Sequence, residues 1–129
     1  MSFSNVDQVN PTATKLIIVE SDPTGSAARV ADPNDNVTGA APGYIHMVEI
    51  DNHLNTADTY VKFRFAASVT ISGGEAHMQL LAPAREVVNY AFPGGVYYTT
   101  GLSVWIVTGN TTADTTMPLS KVLVKILST

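Results

Sequence analysis

Apolar and polar side chains alternate with a period of two along much of this chain, the spacing of a β-strand with one buried face. The pattern is plainest from Thr59 to Ala67, where Val61, Phe63 and Phe65 alternate with Tyr60, Lys62 and Arg64. Tyr44 to Asp51 repeats it, with Val48 and Ile50 on one face and Met47 and Glu49 on the other. The polar link from Asn52 to Asp58 predicts a hairpin between the two. Lys15 to Val19, with Leu-Ile-Ile-Val at its centre, reads as a short buried strand between Pro11 and the turn residues Ser21-Asp22-Pro23-Thr24-Gly25. Further strands are expected at Glu75 to Leu81, Glu86 to Tyr90, Leu102 to Thr108 and Lys121 to Leu127, with Pro93-Gly94-Gly95 making a sharp turn.

No stripe at helical spacing persists beyond two turns. Seven or eight short strands with Gly-, Pro- and Thr-rich connections predict an all-β fold, an antiparallel β-sandwich of jelly-roll or immunoglobulin-like type. The chain of 129 residues is expected to form one domain, 1–129, whose first part, 1–43, is a partly extended N-terminal arm and loop. Between Ser21 and Gly43, Pro33 and Pro42 block any long regular element. That stretch either carries a short strand around Arg29-Val30 or is an arm ordered against a neighbouring subunit. In Leu102 to Thr108 both faces are apolar: Leu102, Val104 and Ile106 lie on one side, Trp105 and Val107 on the other. At least one face must therefore meet something other than water.

Composition narrows the function. Charged residues are only 14% of the chain, so the surface is built largely from Thr, Ser, Asn and Gly. Seven basic against eleven acidic residues give a net charge of −4 with no basic run, which disfavours nucleic acid as a partner. No apolar window is long enough to span a bilayer, and the N-terminus lacks a basic region followed by an apolar stretch, so a soluble cytoplasmic product is expected. The chain has no cysteine and hence no disulfide or thiolate site.

Candidate chemistry is sparse. His46, Glu49 and His53 suggest a metal site, but positions 46 and 49 of a regular strand point to opposite faces. Asp32-Pro33-Asn34-Asp35-Asn36 opens like a calcium loop, yet Val37 and Gly43 stand where Gly and Glu are required, and an Asx-rich turn explains it better. Ser103 lacks the second glycine of a nucleophile elbow and reads as a strand residue. Asp51 and Asp58 flank one turn and are the best pair for glycoside hydrolysis, although turns commonly use Asp for backbone bonding alone. No catalytic, metal or cofactor site is expected, and the chain reads as a non-enzyme. Tyr97, Tyr98 and Trp105 are the candidate interface anchors, with filling of the core as the other reading of Trp105.

The run Phe92-Pro93-Gly94-Gly95-Val96-Tyr97-Tyr98-Thr99-Thr100-Gly101-Leu102-Ser103-Val104-Trp105-Ile106-Val107-Thr108-Gly109, followed by Thr111-Thr112-Ala113-Asp114-Thr115-Thr116, resembles small β-sandwich virion proteins of tailed bacteriophages. Ile50-Asp51-Asn52 and Tyr60-Val61-Lys62-Phe63 are similar to the strand-turn-strand that precedes it in them. The likeness covers about the C-terminal two-thirds, from residue 44 on. It implies a structural role in the particle: a capsid decoration or cement protein on the outer head surface, made in the host cytoplasm. Such a protein bridges capsomers, here as a homotrimer, with the major capsid protein as partner. A tail or fibre module that binds a receptor or glycan is the alternative.

Overall fold

The structure is a computed structural model, and it describes residues 15–24, 29–39, 42–73 and 75–129. Of the expected N-terminal arm, 1–43, residues 1–14, 25–28 and 40–41 lie outside that set. Seven strands run in chain order: β1 (Lys15–Ser21), β2 (Gly43–Asp51), β3 (Thr59–Arg64), β4 (Met78–Ala82), β5 (Val87–Tyr98), β6 (Ser103–Val107) and β7 (Val122–Ser128). They form a four-stranded sheet of order β1-β7-β2-β5 and a three-stranded sheet of order β4-β3-β6. Every pairing is antiparallel, and the all-β sandwich expected from the alternation is what forms.

The alternating residues supply the core. Ile45, Val48, Ile50, Val124 and Ile126 from one sheet pack on Val61, Phe63, Val104 and Ile106 from the other. Each such side chain is worth roughly 1.5–3 kcal/mol when buried.

β2 and β3 do not pair as a hairpin. β2 lies between β7 and β5, whereas β3 lies between β4 and β6, so residues 52–58 carry the chain from one sheet to the other. Buried Asn52 shapes this crossover. Its Nδ2 donates to the carbonyls of Ala57, Ala82 and Pro83 at 3.0–3.1 Å. Its Oδ1 accepts from Asn55 Nδ2 at 2.9 Å and from Thr59 Oγ1 at 3.0 Å. Side-chain bonding of this kind replaces a backbone ladder, and an apolar-polar pattern gives no sign of it.

Pro93-Gly94-Gly95 is not a turn either. β5 continues through it for 12 residues. Ile45 pairs with Val96 and Met47 with Ala91, so His46 alone faces residues 92–95 across an enlarged bulge. Gly94 and Gly95 both have φ 83°, a conformation that disfavours any side chain. β5 is an edge strand, where the missing N–H of Pro93 does little harm.

β1 is an edge strand, not a buried one: Leu16 is 61% and Ile18 57% exposed. β6, in contrast, is buried along its whole length. Its second face is covered from within the chain, where Trp105 and Val107 pack with Ala31 and Ile71. The segment 29–39 also closes its edge, through backbone bonds from Asn34 to Val104 (2.8 Å), Val104 to Asn34 (3.1 Å) and Val37 to Leu102 (2.8 Å). Isolated bridges join Val30 to Thr116 and Asn34 to Val104. Of the two readings of the 21–43 stretch, its described part thus takes the form of a short paired segment near Val30, and the two-sided apolar strand is satisfied without a neighbouring molecule.

Candidate binding surface

The outward face of the four-stranded sheet presents the largest exposed apolar side chains on a regular surface. Cross-strand partners share a face, and the registers therefore define rows. Leu16 pairs with Leu127, Leu127 with Met47 and Met47 with Ala91, giving an apolar row across all four strands. The next row is Ile18, Lys125, Glu49 and Asn89, in which Lys125 Nζ lies 3.9 Å from Glu49 Oε1. The third is Glu20, Leu123, Asp51 and Val87.

Beyond the apolar row, Tyr44 pairs with Tyr97, their ring centroids 5.1 Å apart and tilted by 45°. His46 lies 6.4 Å from Tyr44, centroid to centroid. Gly95 seats this group, because a Cβ added there would lie 2.8 Å from Tyr44 Cβ. Tyr44 is 43% and Tyr97 51% exposed. One end of the face is thus aromatic and aliphatic, and the other is charged.

At the charged end, Asp51 Oδ1 meets both the ring Nδ1 and the backbone N–H of His53. Partial burial pushes the Asp51 carboxyl up, but the two bonds from His53 outweigh it and hold the carboxyl below the usual range.

The three candidate anchors separate. Tyr97 faces solvent, whereas Tyr98 and Trp105 are fully buried within the single chain. Tyr98 Oη bonds Ser128 Oγ at 2.7 Å and donates to the carbonyl of Thr129 at 3.1 Å. Trp105 sits beside Lys62 on the covered face of β6. Burial pushes the Lys62 ammonium down, and Asp114 opposes that shift in part; Nζ donates to the carbonyl of Thr111.

The remaining candidates are occupied locally. Glu49 faces Lys125, His53 faces Asp51, and no group of three or more His, Asp or Glu among the described residues is placed to hold a metal ion. Asp58 Oδ1 accepts from the backbone N–H of Ala84 at 3.0 Å. Asp35 Oδ1 accepts from the backbone N–H of Val69 at 3.3 Å. Ser103 Oγ donates to the carbonyl of Ala66 at 2.9 Å and accepts from the N–H of Asn36 at 3.3 Å. Met47 shares the outward side with Glu49, as the alternation of Tyr44 to Asp51 requires, whereas the exposure of Leu16 and Ile18 runs against the buried strand expected there and Tyr44 is not among the expected anchors. The only available signal is the apolar residue on the nominally polar side of each strand.

No protein-family model and no curated protein matches the chain. Among solved structures it is similar to the coat protein of Tobacco streak virus, with a TM-score of 0.49 and 8% identity over 94% of this chain and 89% of that one. It is also similar to the VLP of the extra small virus of the giant freshwater prawn Macrobrachium rosenbergii, with a TM-score of 0.36 and 14% identity over 89% of this chain and 76% of that one. Both likenesses are to viral particles, and neither is to a tailed phage. At these scores they carry no argument about function.

Proposed function

We propose that this chain is a structural protein of a virus particle, and specifically a decoration protein that docks on the outer head surface of a bacteriophage. One observation carries the reading: the outward face of the four-stranded sheet holds the apolar row Leu16, Leu127, Met47 and Ala91 with the Tyr44–Tyr97 pair beyond it, whereas the second apolar face of β6 is covered within the chain. Six side chains of that face, Leu16, Ile18, Tyr44, Met47, Val87 and Tyr97, are between 37% and 61% exposed. Contiguous exposed apolar patches larger than a few hundred Å² mark interaction sites. Paired tyrosines beside aliphatic residues are the composition that protein interfaces favour.

Decoration makes use of such a face in a simple way. A protein that binds the assembled lattice and not free subunits stabilises the lattice by mass action. As a homotrimer, three modest contacts with the major capsid protein add as an avidity gain. The test is sedimentation of purified chain with mature heads that lack it. Co-sedimentation in hundreds of copies per head, lost in a Leu16→Ser/Tyr97→Ser variant, is the expected result. Chain that stays in the supernatant with intact heads removes the reading.

The Tyr44–Tyr97 pair also favours a second reading, a tail module whose exposed rings stack on sugar. Copy number separates the two: a handful of copies at one vertex would favour the tail.

A further inference from the structure

A second feature lies at the opposite end of β1, where the sandwich opens between β1 and the segment that closes β6. A cavity of about 200 Å³ there is lined by Glu20, Ser21 and Asp22 on one side and by Asp32, Asn34, Ile106 and Met117 on the other. Its charge is one-sided: Asp22 and Asp32 are acidic and no lining residue is basic, while the Glu20 carboxylate belongs to the outward row of β1 and meets Lys121. Lys121 sits at the rim, with Nζ 3.6 Å from Glu20 Oε2. Ser21 lies on the inward face of β1, is only 6% exposed, and its Oγ has no hydrogen-bond partner among the described residues. A buried hydroxyl without a partner can accept from, or donate to, a polar group brought into the cavity. Asn34 spends its Nδ2 on the carbonyls of Asp32 and Val104, which leaves Oδ1 as an acceptor. Ile106 and Met117 are buried and supply apolar walls.

The shape of this donor demand decides the ligand. Among the described residues no three acidic groups close on a metal-sized point, and a divalent cation needs oxygens within about 2.6 Å. The cavity has room for roughly six or seven waters at about 30 Å³ each. Acceptors spread around a space that size suit a planar fork of five N–H donors on an apolar stem, which is an arginine side chain. We infer that this notch receives an arginine side chain of a partner protein, held by Asp22, Asp32 and Asn34 over the Ile106 and Met117 walls. The inference rests on the reading that the chain docks on other proteins, and it adds a charged anchor to the apolar face.

The test is an NMR titration of the isotopically labelled full chain with N-acetyl-arginine amide, with N-acetyl-citrulline amide and calcium chloride as parallel probes. Saturable shifts centred on Ser21, Asp32 and Asn34 are expected from the arginine probe and not from citrulline, which has the shape without the charge. Asp32→Asn should weaken that binding about tenfold, the effect of losing one charge-assisted bond, whereas the distant Glu75→Gln should not. The same spectra report whether each variant is folded, and Asp22→Asn is the second variant. Absent shifts, equal shifts from citrulline, or saturation by calcium at lower concentration than by arginine would each overturn the inference. Because the probe is small and the protein is free, a negative result leaves head binding standing, and failure to bind heads leaves a positive titration standing.

Discussion

The hydroxyl of Tyr98 occupies the space a side chain at Gly43 would need: an ideal Cβ on Gly43 would lie 2.4 Å from Tyr98 Oη and 2.5 Å from the carbonyl oxygen of Thr129. The start of β2, the end of β5 and the end of β7 are therefore locked around one absent methyl group. Gly43→Ala should lower stability by about 1–3 kcal/mol, as overpacking does. Urea unfolding with an unchanged m-value checks it. Tyr98→Phe, which keeps the ring and loses the bond to Ser128, should cost about 1 kcal/mol.

The interface reading and the core reading of aromatic residues make opposite predictions. Trp105→Ala should destabilise the chain by roughly 3–5 kcal/mol, since it empties a fully enclosed site. Tyr97→Ser should shift stability by less than about 0.5–1 kcal/mol while reducing attachment to a particle. Thermal unfolding and a binding assay on the same two variants separate them.

Lys62 gives a pH dependence of definite sign. Its ammonium is pushed below the ordinary value, so between the lowered value and about 10.4 the unfolded state binds more protons than the folded one. In that window stability gains from Lys62 as pH rises. Lys62→Met should lack this gain, so the difference between variant and parent should shift in the parent's favour from neutral pH to about pH 10.4. Urea titrations at several pH values read it directly.

Asp51 acts at the acid end. Its folded value lies below the unfolded one, so its contribution is complete above about pH 3.9 and is lost as pH falls through the lower folded value. Asp51→Asn should lose a few tenths of a kcal/mol at neutral pH, since the pair is partly exposed, and its stability curve should merge with the parent's in acid. His53→Ala, which removes the ring bond and keeps the backbone one, should reproduce part of the effect.

Strand positions were legible wherever alternation was strict. Val61 and Phe63 face the core as their spacing requires, and the pattern is physical, because one pleat points each way. Sheet membership was less legible. Whether β2 turns back on β3 or crosses to another sheet depends on the Asn52 bonds, which draw partners from residues 55, 57, 59, 82 and 83. Leu-Ile-Ile-Val in β1 reads the same whether the strand is central or at an edge, so the exposure of Leu16 and Ile18 could not be seen. Pro93-Gly94-Gly95 signals φ > 0 correctly, but a bulge and a turn make the same demand on glycine. Of the candidate surface, Tyr97 was named from the sequence; Tyr44 joined it only once the register placed the two rings side by side.

The pairing of β1 with β7, its one partner among the described residues, has a consequence for how the molecule comes into being. Lys15 meets Ser128 and Ser21 meets Val122, so a strand made early in synthesis waits for one made about a hundred residues later. Segments separated by so much intervening chain join slowly, because loop closure precedes any reward from contact. Until then Leu16 and Ile18 lie on a strand that lacks β7, and a chain stalled before residue 122 would offer that strand to its neighbours on a polysome.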